Sequence, residues 1–564
     1  MRAGRLAVIL VAIGAVAIAA IVSLGGGGSD DSGGGTTTKA AGPSSDAVRV
    51  AFAYSPEKEQ LLKPQIEAFN AEQVKVGGRP VFVDAQVVSS GEAQEKIGKQ
   101  QLRPVVWSPA SSLWGRLLNY QADQEWAPAD NPSLVRTPLV IAMWEPMART
   151  LGWPKKQIGF EQILALATSE KGWANYGKPE YGSFKLGHTN PDFSTSGLSA
   201  VAAEYYAATG KKEGLTVADV EKAKVRKEIR DIERSIVHYG DTTLFFAEQM
   251  KRFGPAYASA VAMEEVTLLD FNRDRGGQPK LIALYPPEGT FDSDNPFIVL
   301  DAPWVTAEQK QGAAAFQKFL AERITPEVAA KAGFRSGDPD VTPIPPVTKE
   351  NGADPAQPKR TLSLPEPRVL ARIKSAWRED RKPANIQLVF DTSGSMGEEG
   401  KLEQAKRGLT TFFAQLSPRD RVGLIAFNSQ VFPLVDIAPF GQNRAALRST
   451  VTGLIPEGQT AAYDAIGEGV GKIIALNDDT RINAVVALTD GEDNESSTTL
   501  DQLVSALKQR NTQEGEPVRV YTIAYGAGAN KAALTEIAEA SGGKAFSGDP
   551  KQIEAVYRSI SSFF

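Results

Sequence analysis

The chain contains no cysteine. Disulfides, thiolate metal sites, cysteine nucleophiles and the lipid-modified cysteine of a lipoprotein are therefore excluded. Histidine is nearly absent as well: His188 and His238 are the only two, far apart and without a paired carboxylate motif, so each reads as structural rather than catalytic. Neither sign of charge dominates, with 62 basic against 67 acidic residues and a net charge of -5, which argues against phosphate-backbone binding and hence against nucleic acid as a partner. No nucleophile elbow, zinc helix, phosphate-binding loop or acid/base pair stands in a defined context, so an enzyme is not expected. What remains is an ordinary globular composition, 42% hydrophobic and 23% charged. At 564 residues the chain exceeds the roughly 250 to 300 at which single cores stop growing, so two or more domains are expected.

Long apolar runs are also scarce, and the one of note lies at the start. Arg2 and Arg5 precede an uncharged stretch from Leu6 to Leu24. A signal-peptide core takes about 7 to 15 residues and a membrane span about 20, so residues 1–24 read as an uncleaved anchor in preference to a cleaved signal. Small residues around Ala17 to Ala20 keep cleavage open. In either case the arginines stay in the cytoplasm and the rest lies outside, membrane-anchored or, after cleavage, secreted. Residues 25–46, rich in glycine, serine and threonine, cannot bury enough apolar surface to fold and read as a flexible tether.

Folded sequence begins at Val48-Arg-Val-Ala-Phe-Ala-Tyr, a strand that runs through Ser55-Pro56 into a helical pattern with Leu61, Leu62, Ile66 and Phe69. A second strand–loop–helix unit carries Trp107, Ser108, Ser111 and Ser112 before Leu113, Leu117 and Leu118. Ligands of open α/β sheets sit beyond the carboxyl ends of strands, near helix N-termini. Ser55, Ser108, Ser111 and Ser112 are thus candidate cleft residues, each of which could equally cap a helix. Hydroxyls gather again at Thr189, Ser194 and Ser196 before the helix of Leu198 and Val201, and at Thr242 and Thr243 after Tyr239-Gly240-Asp241. Together with Tyr285-Pro-Pro-Glu-Gly-Thr290 and a helix from Ala307 to Glu322, this order of elements resembles bacterial extracytoplasmic solute-binding proteins, over residues 47–340. The resemblance implies a two-lobed, periplasmic-binding-protein-like fold that clasps a small solute by hinge closure. Receptors of that kind usually stop after the second lobe, and this chain continues.

Residues 341–383 read as a linker, rich at first in proline, glycine, aspartate and threonine. Val369, Ile373 and Trp377 then fall at helical spacing, with Trp377 as a packing anchor. The last domain, 384–564, alternates strands (Ile386 to Phe390, Val422 to Phe427, Ile482 to Leu488, Val518 to Ala524) with helical stretches, a doubly wound, Rossmann-like α/β pattern. Its first strand ends at Asp391-Thr-Ser393-Gly-Ser395-Met-Gly397. Taken alone, such a loop at a helix start is usually a cap. An oxygen-only set of carboxylates and hydroxyls would suit a hard divalent ion. Asp490 ends another strand and can reach the same sheet edge, and the glycine-containing turn before Tyr463 offers Thr460.

With Thr460 and Asp490 in this order, the segment resembles the von Willebrand factor type A domain. The resemblance implies a metal-ion-dependent adhesion site formed by Asp391, Ser393, Ser395, Thr460 and Asp490. It would hold Mg²⁺, or another divalent cation such as Ca²⁺ or Mn²⁺, with one position open for an acidic side chain of a protein partner. Asp464, Glu492 and Asp493, nearby in sequence, read as solvated loop charges. The expected function is a cell-surface, membrane-tethered binding protein that engages a protein partner through the metal and holds a small solute in the cleft. The alternative is the solute receptor of an ABC-type importer with an accessory metal-binding domain.

Overall fold

The structure is a computed structural model; it describes residues 44–511 and 517–564. The apolar stretch Leu6–Leu24 and the tether up to Pro43 lie outside the described residues. Among those described, no helix is long and apolar enough to cross a membrane.

Three sheets organise the described residues. In the first, Val48–Tyr54 is a central strand, paired in parallel with Arg79–Val87 on one side and Val106–Ser108 on the other. The second is built on the long, almost wholly buried strand Val135–Trp144, which pairs antiparallel with Ala260–Glu264 and Leu281–Leu284. The chain passes from the first sheet to the second near Ser133 and returns near Pro296, where the two passages meet in an antiparallel bridge and Leu134 N donates to Asn295 O at 3.1 Å. Ile298–Val299 then joins the first sheet beside Val106–Ser108, and the helix Ala307–Arg323 packs on the Val48–Tyr54 strand. Two lobes joined by crossing segments result.

The lobes touch. Gly91 N, in the first, donates to Phe193 O of the second at 2.8 Å, and Trp114 Nε1 donates to Thr195 Oγ1 at 2.8 Å. A Cβ at Gly91 would lie 2.1 Å from the Asp192 carbonyl oxygen, so only glycine permits this approach.

The third sheet runs Val431–Pro439, Arg421–Phe427, Ala384–Asp391, Ile482–Thr489, Val518–Tyr525, Ala545–Gly548, parallel throughout except for the first strand. Ala384–Asp391, Ile482–Thr489 and Val518–Tyr525 are buried along their whole length because helices cover both faces, which is why they read as unbroken apolar runs. The edge strand Val431–Pro439 was not anticipated; none of its residues is fully buried, it carries two prolines, and its pairing holds register shifts.

Between second and third sheets the chain forms the helix Pro367–Asp380, opened by proline in its first turn. Val369, Ile373 and Trp377 are all buried. This helix packs on Leu113–Ala122 of the first lobe and on Thr195–Thr209, Val217–Val220 and Ala223–Glu233 of the second. Charged contacts frame it. Arg378 makes two 2.7 Å bonds to the Asp192 carboxylate, Lys374 lies 5.1 Å above the Trp114 ring, and Arg226 and Arg230 both pair with Asp380. At its centre Trp377 Nε1 donates to Glu233 Oε1 at 3.2 Å, and its ring meets Tyr239 edge-on at 5.0 Å.

The third-sheet region also reaches both lobes. Arg558 pairs with Glu95 of the first at 2.6 Å, Lys544 with Asp241 of the second, and Phe563 packs against Phe245 at 5.2 Å. One apolar cluster consequently runs from Trp107 and Trp144 through Trp377 to Phe412 and Phe564.

Candidate metal loop and interlobe cleft

The parallel register carries Asp391 level with Phe427 and Phe390 level with Leu488, so Asp391 and Asp490 emerge at the same sheet edge. Asp391 is fully buried: its Oδ1 accepts from Ser393 N at 2.7 Å and its Oδ2 from Thr489 Oγ1 at 2.6 Å. Beyond it the hydroxyls line up. Ser393 Oγ lies 3.1 Å from Ser395 Oγ, which donates to Asp490 Oδ1 at 2.7 Å. The turn carrying Thr460 is pinned to this loop by Gly394 N donating to Gly458 O at 3.0 Å and Glu457 N donating to Thr392 O at 2.8 Å. Gly458 has φ of +73°, which a side chain would strain. Thr460 Oγ1 and Ser395 Oγ converge over Gly491, where an added Cβ would meet them at 3.4 and 4.0 Å.

The five residues implied by the resemblance are thus neighbours, although they come from three separate loops. Burial, the largest effect, and the charge of Asp490 push the Asp391 carboxyl up to about 6, against the hydrogen bonds from Thr489 and Ser393, which favour its charged form. Among the described residues no three His, Cys, Asp or Glu side chains gather as a metal site, so any ion here would depend on hydroxyls for much of its coordination. Two carboxylates with three convergent hydroxyls and no nitrogen or sulfur fit a small hard divalent ion.

Two of the nearby acids are not the solvated charges expected. Asp493 accepts from Tyr463 N at 2.9 Å and from Ser496 Oγ, and Asp464 accepts from Ser497 N at 2.8 Å and Thr498 N at 2.9 Å, so both fix the loop that supports Thr460. Glu492 is exposed. Asn494, which carries no charge and gave no signal, holds Thr460 N through its Oδ1 at 2.9 Å. Lys401 was likewise missed: its Nζ donates to Asp490 Oδ2 at 2.7 Å and to Ser395 O at 3.3 Å.

Between the lobes Ser55, Ser194, Thr242 and Thr243 line one small space, with Glu57, Ser89, Ser90, Thr195, Asp241 and Glu264. The gap is about 20 Å³, room for about one water. The other hydroxyls lie elsewhere. Ser108 is fully buried with an unpartnered Oγ, and Ser111 Oγ accepts from Leu113 N at 3.3 Å. Ser112 borders a separate open hollow beside Asp294, and Thr189 and Ser196 bond each other at 2.8 Å. Beneath the gap the buried Lys58 ammonium donates to Ser55 Oγ, to Pro109 O at 3.1 Å and to Asn295 Oδ1 at 2.9 Å. Burial, then the nearby charge of Glu57, pushes the Glu264 carboxyl up to about 7.

Sequence comparison agrees with this architecture. Residues 50–335 match the bacterial extracellular solute-binding protein family, and residues 385–556 match the von Willebrand factor type A domain. The chain belongs to the bacterial extracellular solute-binding proteins and carries, after that domain, a von Willebrand factor type A domain. Both are binding modules rather than typical enzymes. An uncharacterized protein of Mycobacterium tuberculosis is 23% identical over 517 residues, 88% of this chain and 73% of its own length. Among solved structures, the von Willebrand factor type A protein from Catenulispora acidiphila is 21% identical, covering 32% of this chain and 42% of that one, with a TM-score of 0.28. A periplasmic thiamin binding protein is 10% identical, covering 60% of this chain and 97% of its own, with a TM-score of 0.42.

Proposed function

We propose that the protein is an extracytoplasmic binding protein, tethered by residues 1–24, that engages an acidic side chain of a protein partner through Mg²⁺ or a similar divalent cation at Asp391, Ser393, Ser395, Thr460 and Asp490. The observation that supports this reading best is the convergence of hydroxyls and carboxylates from three loops at one sheet edge. When bound, the ion supplies an open coordination position for an anionic oxygen. Ser393 and Ser395 present hydroxyls, Asp391 is held in place by Thr489 and the Ser393 amide, and the Asn494-supported turn positions Thr460. Domain limits of 47–340 and 384–564, with 341–383 between, accompany this reading.

Its test is direct. Mg²⁺ at a hundredfold its dissociation constant should stabilise the protein by about 2.7 kcal/mol, and Asp391→Ala should remove that effect while leaving the fold intact. Cell-surface partner capture should vanish with chelator and with the same substitution. Capture unchanged in chelator would refute the reading.

Solute binding in the cleft is the companion proposal, and it rests on the family match over residues 50–335. The importer-receptor reading draws on the same match. Opposing it, the helix Pro367–Asp380 and the contacts of Arg558 and Lys544 tie both lobes together, whereas a receptor that releases solute must open. A thermal-shift screen of sugars, amino acids and anions tests solute binding, and no shift across them would count against it.

A further inference from the structure

Lys401 opens the helix Lys401–Gln415 directly beyond the metal loop. Its side chain is only 12% exposed and is directed inward onto Asp490, whose own side chain is fully buried. The backbone from which it departs is fixed by Tyr525 Oη, which donates to the Lys401 carbonyl at 2.8 Å, and Gly526 lies alongside its methylenes, where an added Cβ would make ordinary contact with Lys401 Cε at 3.8 Å. Gly526 has φ of +79°, a conformation a side chain would strain. Glu398, the other carboxylate within reach, is 3.6 Å away and 71% exposed, so it does little to neutralise the ammonium.

Charge arithmetic gives this lysine a role. Asp391, Asp490 and Lys401 together carry one net negative charge; a divalent ion makes the loaded site net positive by one. Without the lysine the loaded site would be neutral. The geometry points to Lys401 as a specificity-determining residue that weakens the grip on the divalent ion and in exchange leaves the loaded site cationic, so that it selects a carboxylate ligand. This rests on the metal reading of the loop.

Both halves are measurable on the full chain. Titration calorimetry with Mn²⁺ should show Lys401→Met binding the ion about a hundredfold more tightly than the unsubstituted protein, the size expected for a unit charge acting on a doubly charged ion about 6 Å away at an effective dielectric of about 40. Acetate serves as the carboxylate probe, read through water-proton relaxation of the bound Mn²⁺, since an entering carboxylate displaces water. Its apparent affinity should fall about tenfold in Lys401→Met and persist in Lys401→Arg, which keeps the charge. Lys401→Gln, polar but neutral, repeats the measurement if the methionine variant does not fold. Equal Mn²⁺ affinity in neutral and unsubstituted proteins overturns the inference, as does folded Lys401→Gln that has lost the ion, because the lysine would then be a scaffold for the loop. Failure of the unsubstituted chain to bind Mn²⁺ overturns the metal reading itself and this inference with it.

Discussion

Replacing Trp377 with alanine should cost the protein more than any exposed substitution could, because this side chain stands where both lobes and the interdomain helix meet. The indole is 1% exposed, lies edge-on to Tyr239 at 5.0 Å and donates to Glu233 Oε1 at 3.2 Å. Truncating a fully buried tryptophan costs about 3 to 5 kcal/mol. Glu233 keeps His188 at 3.1 Å and the Tyr239 hydroxyl, so losing the indole donor adds only about 1 kcal/mol. Trp377→Phe separates the two contributions, since it keeps most of the ring and drops the donor; it should cost about 1 to 2 kcal/mol. Urea unfolding followed by circular dichroism at the helix band reports both. With a slope of about 3 kcal/mol per molar, the alanine variant should lower the midpoint by roughly 1 M or more. A shift below about 0.2 M would refute the reasoning and make Pro367–Asp380 a mere tether.

Other expectations follow from the same packing. Gly91→Ala should drive the lobes apart, since its Cβ would meet the Asp192 carbonyl at 2.1 Å; X-ray scattering should show an increased radius of gyration and unfolding a loss of about 2 kcal/mol, and an unchanged profile would contradict the close approach. Burial, then the charge of Glu233, pushes the Glu204 carboxyl up to about 8 from a usual 4.5; on the adjoining His188 burial is the largest single effect and opposes its charge, but the charge and hydrogen bond of Glu233, with Glu204 and the Thr189 carbonyl, together raise it. Between about pH 4.5 and 8 the unfolded chain therefore releases a proton from Glu204 that the folded one keeps, and His188 likewise holds its proton longer when folded. Stability should fall as pH rises through this window, by up to about 1.4 kcal/mol per pH unit for Glu204, and Glu204→Gln should flatten the decline in urea midpoint. Parallel pH profiles for the two proteins would exclude this cause.

The convergence of the candidate metal loop was legible because each of its parts is a local signal. Apolar strands fix where Asp391 and Asp490 emerge; Ser393 and Ser395 alone would read as a helix cap, and it is Thr460 and Asp490 following in chain order that single the loop out. Lys401 escaped because a lysine in the first turn of a helix looks solvated; only the tertiary position of Asp490 turns it inward. In the cleft, hydroxyls after strand ends marked Ser55, Ser194, Thr242 and Thr243. Ser89 and Ser90 follow the same rule, but Arg79–Val87 is buried only at Val81 and Val83, and its second half gives a weak strand signal. Glu57 and Glu264 were missed because a carboxylate at a helix start resembles an ordinary charged first turn, and their depth depends on lobe closure. Trp377 was recognisable as an anchor, while what it anchors to, Glu233 and Tyr239, comes from far away in sequence.

The helix Pro367–Asp380 ends only a few residues before Ala384–Asp391 begins, and that strand carries the candidate metal loop at its far end. An eight-residue strand is about 26 Å of stiff, centrally paired backbone. Under the proposed function, traction by a partner on the loop at Asp391 would travel down this strand and reach the helix through the short Arg381–Pro383 segment, where Arg381 is fastened to Asp420 at 2.7 Å. From the helix the load divides between the two lobes, through Lys374 over Trp114 on one side and the Arg226 and Arg230 pairs to Asp380 on the other. On that same proposal, a pull on this loop would reach the two lobes through that helix and act as shear across the cleft.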